Sequence, residues 1–351
     1  MYSRNKVLKL LKSVNPLELD ILWKEADRVR SENVGPGIHF RGLIEISNHC
    51  RRSCLYCGLR GPNKALKRYR MTSGEILECA TAAHRLGYGT VVMQAGEDEG
   101  IERNWLSEVI SQIKEETPLA VTLSLGERTL DELAAWKKAG ADRYFLRFET
   151  SDPLLYSRIH PGHGDTASNR IELLKHIMEI GYETGSGIMV GIPGQTYESL
   201  ADDLFLFSSM DLDMVGIGPF IPHPGTPLGK KRTVPSGSQV PNTVEMASKV
   251  VALCRLLCPQ VNLPSTTALA SLAPDGHVPG LTRGANVVMP ALTPVRYRKL
   301  YEIYPGRTLL SSSPLPAKVI IEKLGLEHSR TVSQGVGKRA KVRITDLPRM
   351  A

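Results

Sequence analysis

Short apolar runs alternate with longer amphipathic stretches along most of the chain. The runs 42–47, 90–95, 120–124, 144–147, 184–190, 214–217, 261–264 and 286–289 read as strands. Between most of them apolar residues recur at helical spacing, as in Ile76, Leu77, Ala80, Ala83 and His84, or in Ile171, Leu174, Ile177 and Met178. Two helix starts announce themselves: Thr72 with Glu75, flanked by Met71 and Ile76 as a hydrophobic staple, and Thr129 with Glu132. Strands separated by helices must run parallel, and eight such units in about 250 residues or a little more match a closed barrel. The expectation is therefore an α/β fold, a (β/α)8 TIM-type barrel over 37–310, with a doubly wound open sheet as the alternative. Residues 1–36 are expected to form N-terminal capping helices, and 311–351 a C-terminal helical extension that closes or flanks the barrel. The segments richest in chemistry, 48–57, 94–97, 124–127, 147–150, 191–195, 219–224 and 266–268, all follow strands, which favours the barrel.

No apolar stretch reaches the roughly 18 residues of a membrane span. In the N-terminus Val7, Leu8, Leu10, Leu11 and Val14 lie at helical spacing, but Lys9 and Lys12 interrupt them, so a capping helix is expected rather than an export signal. Hydrophobic residues are 42% and charged residues 23%, ordinary globular proportions. Lys plus Arg exceed Asp plus Glu by 44 to 36, or +8, with local clusters at 230–232 and 338–343. That excess is spread along the chain without a dense stripe of basic and aromatic residues, so a nucleic-acid partner is not expected and attraction of small anions is.

Six cysteines are too few for a disulfide scaffold in 351 residues, and three of them crowd into Cys50-Arg-Arg-Ser-Cys54-Leu-Tyr-Cys57 directly after the first strand. Reduced thiolates holding a metal in the cytoplasm fit that crowding. Three soft ligands in one loop suit an iron–sulfur cluster or zinc. Structural zinc wants a fourth ligand, and His49 is too close to Cys50 to supply it easily; a four-iron cube on three cysteines would instead keep one iron open. Cys79, Cys254 and Cys258 read as core residues.

The CxxxCxxC spacing, with an aromatic residue before the last Cys on the loop after strand one of a βα barrel, resembles the radical S-adenosylmethionine (SAM) superfamily. The resemblance implies one 4Fe–4S cluster held by Cys50, Cys54 and Cys57, whose open iron takes the amino and carboxylate groups of SAM. It implies a 5′-deoxyadenosyl radical made with an electron from an external donor. It assigns Gly96-Glu97-Asp98 to the methionine amino group, Glu149 to the ribose or amino group, Arg170 to the carboxylate, Tyr56 and the Gly187–Gly191 strand end to the adenine, and Gln94 to the cofactor. Further phrases, among them CLYCGLR (54–60), VTLSLGE (121–127), GADRYFLRFET (140–150), GYETGSGIMVGIPGQT (181–196), DMVGIGPFIPHPGTPL (213–228) and STTAL (265–269), are similar to HydE-type hydrogenase maturases, in the group that also holds biotin synthase and methylornithine synthase.

That narrower resemblance implies work on a small anionic iron complex of cysteine, transient contact with other hydrogenase maturation proteins, and no membrane. Arg143 and Arg147 from strand four, Tyr301 and Tyr304 at helical spacing, and Thr266, Thr267 and the Ala268 amide are the expected catalytic and substrate-binding groups. Two arginines an even number of positions apart point the same way in a regular strand. The sequence departs from related maturases in two places. No Cys follows Cys258, and 311–313 are serines, so a second cluster is not expected; and Phe148 stands where the resemblance places a His. A radical SAM mutase or sulfur-inserting enzyme acting on an amino-acid-like substrate, and a non-catalytic iron–sulfur carrier, are the other readings.

Overall fold

The computed structural model describes residues 2–162, 168–230, 237–273, 275–306 and 314–339. Helices Arg4–Lys12 and Pro16–Val34 precede the first strand, each started by a short polar side chain: Ser3 accepts from the Lys6 amide, and Asn15 from the Leu17 amide ahead of Pro16. Eight strands occur among the described residues: β1 (Gly37–Ser47), β2 (Thr90–Ala95), β3 (Ala120–Ser124), β4 (Arg143–Phe145), β5 (Glu183–Val190), β6 (Met214–Pro219), β7 (Val287–Val288) and β8 (Thr331–Val332). The first seven form one parallel curled sheet in the order β6-β5-β4-β3-β2-β1-β7. Both capping boxes form, Thr72 with Glu75 and Thr129 with Glu132.

The ring closes through a stave that is not a regular strand. Residues 261–264, expected as the seventh strand, make only isolated parallel bridges, Asn262 with Met214 of β6 and Pro264 with Val287 of β7. Pro264 has no amide to give, and the Leu263 amide goes to the Asn286 side chain at 2.8 Å instead of to a ladder carbonyl. Backbone bonds Val215 N to Asn262 O, 3.0 Å, and Ser265 N to Val287 O, 2.9 Å, still complete the circle. Along each strand the two-residue period sorts the side chains. Ile44, Val91, Met93, Val121, Leu123, Val215 and Ile217 pack in the hydrophobic core. Leu43, Val92, Gln94, Thr122, Ser124, Gly216 and Gly218 line a central cavity.

The C-terminal part contributes more than helix. After helix Ala317–Lys323, β8 pairs with Gly37 and Ile38, and the chain runs beneath the barrel. There the Val336 carbonyl accepts from Arg143 and Thr90, and the Gly337 carbonyl from Asn262. Val336 and Gly337 thus bond to the lower ends of the strands; residues 311–313, 340–351 and most of the 230–232 and 338–343 basic clusters lie outside the described residues.

Arg143 belongs to this lower end. It is fully buried, with Nε on Glu183 Oε2 at 2.7 Å, Nη1 on Thr90 Oγ1 at 3.0 Å and Nη2 on the Val336 carbonyl at 3.0 Å. It points inward, as the even spacing from Arg147 implies, but lies four residues lower, roughly 13 Å of strand, and does not line the cavity. Arg143→Met should lower the unfolding free energy in a denaturant titration by about 3 kcal/mol, since it strands Glu183 and a buried carbonyl. Iron content after reconstitution should not change; loss of iron at unchanged stability would return Arg143 to the site.

Candidate active site

The cysteine loop leaves β1 without regular structure and is held by bonds to its surroundings. The Arg51 amide donates to the Glu97 carbonyl at 3.0 Å, the Leu55 amide to Ile159 at 2.8 Å and the Gly58 amide to Ile303 at 2.9 Å. Gly96 lies hard against the loop: a Cβ there would sit 2.3 Å from the His49 carbonyl and 2.7 Å from the Cys50 Cβ. Cys50, Cys54 and Cys57 all line the cavity, whereas His49 does not. Burial pushes the Cys54 thiol up to about 12 and raises Cys50 and Cys57 as well, so the metal-free thiols are neutral and ligation must release their protons.

The donor set fits a cluster better than a single ion. Sulfurs around one tetrahedral zinc lie roughly 3.8 Å apart, given Zn–S of 2.3 Å. Among the described residues the only trio of His, Cys, Asp or Glu ligand atoms gathered within 4.8 Å is Glu97, Glu127 and His160, so the three thiols are spread more widely. The Glu97, Glu127 and His160 trio is itself filled by arginine. Arg52 bonds Glu97 and reaches Glu127 at 2.6 Å, while Arg170 lies 2.9 Å from each glutamate. Arg170 also donates to the Arg147 carbonyl at 2.7 Å and meets His160 Nε2 at 2.7 Å. Burial and the Arg170 guanidinium push His160 down to about 3, so it is neutral and accepts.

Glu149 is held in a strained turn. Its φ is +65°, and the Thr150 amide donates back to the Phe148 carbonyl at 2.8 Å, closing a γ-turn. Such a conformation costs on the order of 1–3 kcal/mol in a residue with a side chain. It is pinned by β5, through Glu149 N to the Gly187 carbonyl at 3.0 Å and Met189 N to the Glu149 carbonyl at 3.1 Å. Its carboxylate, in the cavity wall, accepts from Arg147 Nε at 3.0 Å and the Tyr56 hydroxyl at 3.4 Å. Arg147 has room because β5 and β6 are glycine there: a Cβ on Gly187 would come 2.3 Å from the Gly216 carbonyl and 3.1 Å from Arg147 Nη1.

Of the residues singled out in the sequence, Cys50, Cys54, Cys57, Tyr56, Gln94, Gly96, Glu97, Arg147, Glu149, Arg170, Thr266, Thr267, Ala268, Tyr301 and Tyr304 share this one cavity of about 320 Å³. Gly191 does not line it; φ of +83° makes it a turn residue packed on Asn242, and Met189 takes the wall position. The 301–304 stretch is not helical, because the helix Val295–Arg298 ends before it and the Leu300 and Ile303 carbonyls turn to Asn48 and Gly58 of the cysteine loop. The two tyrosines reach the cavity from an irregular segment. Thr266 caps the helix Thr267–Leu272, with its hydroxyl on the Ile217 carbonyl at 2.8 Å. Sequence reasoning placed Arg52 and Glu127 in chemistry-rich segments without giving either a role, and missed His160 and Asp203. The one available signal was that Glu127 follows a glycine at a strand end.

The arrangement is a thiol loop over a parallel barrel, and comparison with known proteins agrees. Residues 44–207 match the family described as the radical SAM superfamily. The FeFe hydrogenase maturase subunit HydE of Thermotoga maritima is 47% identical over 93% of this chain and 92% of its own length. The 3-methylornithine synthase of Methanosarcina acetivorans is 29% identical over 77% of this chain and 74% of its own. A crystal structure of methylornithine synthase (PylB) superposes with a TM-score of 0.78 at 25% identity, covering 95% of this chain and 94% of that one. The chain belongs to the radical SAM superfamily and, within it, to the HydE family of FeFe hydrogenase maturases. It is a radical SAM enzyme whose cofactors are a 4Fe–4S cluster and SAM. No described helix is long and apolar enough to cross a membrane.

Asp203 provides a pH test of the Glu149 turn. It is fully buried, its Oδ1 accepts from the Ser151 amide at 2.5 Å and hydroxyl at 2.6 Å, and burial raises its pKa from 3.8 to about 7. A raised acid binds its proton more readily folded than unfolded, so its contribution to stability is complete below 3.8 and is lost as pH rises through about 7. Relative to Asp203→Asn, the parent protein should lose stability across that window in denaturant titrations; a difference independent of pH would contradict the assignment.

Proposed function

We propose that this maturase acts on a small anionic complex of iron and cysteine, held in the cavity beneath the cysteine loop. The observation that carries the reading is that the thiols, the charged groups around Glu97 and Arg170, and the Arg147, Thr266–Ala268 and tyrosine group open onto one cavity. When bound, and after one-electron reduction by an external donor, the cluster and SAM supply a 5′-deoxyadenosyl radical within that cavity. Cys50, Cys54 and Cys57 hold the cluster. Tyr56, Gln94, Gly96, Glu97, Glu149 and Arg170 hold SAM, with Gly191 shaping the turn beyond β5. Arg147 offers positive charge to the substrate, its side chain steadied by Glu149 and by the Ile188 carbonyl at 2.5 Å. The amides of Thr267 and Ala268 open a helical turn and have no preceding helical carbonyl to serve. Tyr301 and Tyr304 complete the wall, and the product would pass to companion maturation proteins.

Anaerobic incubation with SAM, a reductant and a cysteine-bound iron carbonyl–cyanide complex should give 5′-deoxyadenosine or an adenosyl–cysteine adduct and consume the complex. Cys54→Ser should lose the iron and all turnover; retained zinc with full activity would refute the ligand assignment. Arg147→Met should keep its iron and raise KM for the anionic complex about tenfold, the order of one lost charge-assisted bond. Turnover of a small amino acid in place of the iron complex would favour the carbon-skeleton reading, and the absence of both 5′-deoxyadenosine and an adenosyl–cysteine adduct, with the cluster intact, would leave only a carrier.

A further inference from the structure

Glu97, Arg52, Glu127 and Arg170 form a closed ring of alternating charge. Arg52 Nε bonds Glu97 Oε2, Arg52 Nη2 lies 2.6 Å from Glu127 Oε2, Arg170 Nε 2.9 Å from Glu127 Oε1, and Arg170 Nη2 2.9 Å from Glu97 Oε1. No member is more than 15% exposed. Two positive and two negative groups leave the ring neutral, so its members offset one another's desolvation. The exposed Arg51 adds a looser contact, 3.6 Å from Glu97.

The ring has a front and a back. Arg52, Glu97 and Arg170 line the cavity; Glu127 does not. Glu127 stands behind the wall, reached through Gly126, whose φ of +73° and missing side chain let the Glu97 Cγ lie 2.0 Å from where a Cβ would be. Burial opposes the Glu127 charge, but Arg170, Ser168 and Arg52 together hold its pKa below the ordinary value. Two ring bonds, Glu97–Arg52 and Glu97–Arg170, have both partners on the cavity, and the second joins the two residues read as receiving the methionyl group.

An α-amino acid end is itself one ammonium and one carboxylate. Inserted between Glu97 and Arg170, it gives each a new opposite charge for the one it loses, with no change in net buried charge. Arg52 can then keep Glu97 Oε2, and Glu127 can keep Arg170 Nε. We propose that Arg52 and Glu127 are positioning residues for the zwitterionic end of SAM: they hold Glu97 and Arg170 charged and aimed while the ligand replaces the bond between those two. The inference rests on the reading that Glu97 and Arg170 receive the methionyl group. It adds that a residue that does not touch the ligand sets the preference for an intact amino-acid end.

The test uses the reconstituted holoprotein and two probes, SAM and 5′-methylthioadenosine, which keeps the nucleoside and lacks the amino-acid end. Glu127→Gln should raise the SAM dissociation constant about tenfold and leave iron content and 5′-methylthioadenosine affinity unchanged. In an Arg170→Lys background the same substitution should cost less, because the ring is already broken. Equal weakening of both probes would make Glu127 merely structural and overturn the proposal. SAM affinity unchanged in Glu127→Gln but weakened in Arg170→Lys would sink the inference and leave the methionyl reading standing; no weakening in either would sink that reading itself. Should Glu127→Gln fail to load iron, Glu127→Asp, which keeps the charge at shorter reach, carries the same comparison at a smaller factor.

Discussion

The buried charge ring is the interaction on which the top of the barrel depends. Its four residues come from the cysteine loop, the ends of β2 and β3, and the start of helix Arg170–Glu179. None of these charges is tolerable in the interior alone, and removing one leaves an uncompensated partner. The cysteine loop has no helix or strand to fix its shape, so its course is set from outside: Arg52 in the ring, Gly96 beneath it, and the Leu300 and Ile303 carbonyls bonded to Asn48 and Gly58. Electrostatic neutrality and the placement of the thiols are thus one constraint.

The opposite end of the barrel solves a different problem. Arg41 and Arg143 point into its lower end, where burial lowers the Arg41 pKa to about 9. The 331–339 segment supplies the carbonyls and backbone that cover this end. A carbon radical is quenched by whatever hydrogen donor reaches it, and these bonds lay backbone across the end of the barrel away from the cysteine loop. The extension is expected from sequence to close or flank the barrel, and its described residues 331–339 make these contacts.

How much of this was legible follows from which forces act locally. The first six strands and both capping boxes depend on apolar runs and on side chains three residues apart, and sequence states both. The 261–264 stave was legible as an apolar run but not as an irregular one, because its amide is taken by Asn286 from a distant position. Arg51 and Arg52 are neighbours of the same type, yet one is exposed and the other is locked in the ring at 5% exposure. Nothing in the pair itself separates them; the loop's path does. Tyr301 and Tyr304 were found for their chemistry and misjudged in conformation, since carbonyls that would continue a helix are drawn to the cysteine loop.

The Phe148 departure is answered by the same geometry. Arg147 and Glu149 face the cavity, so Phe148 between them turns outward, 1% exposed, with its ring 5.3 Å from that of Phe207. Asp203, which grips Ser151, lies four residues before Phe207 on helix Tyr197–Ser209, on the same helical face. That one face therefore holds both flanks of the γ-turn, residue 148 by packing and residue 151 by hydrogen bonds, with Glu149 forced into positive φ between them. Phe148 thus packs in the helix layer and is absent from the cavity lining that Arg147 and Glu149 share. What the position demands is a shape that fills the gap against Phe207, and phenylalanine meets it without any buried polar atom to satisfy.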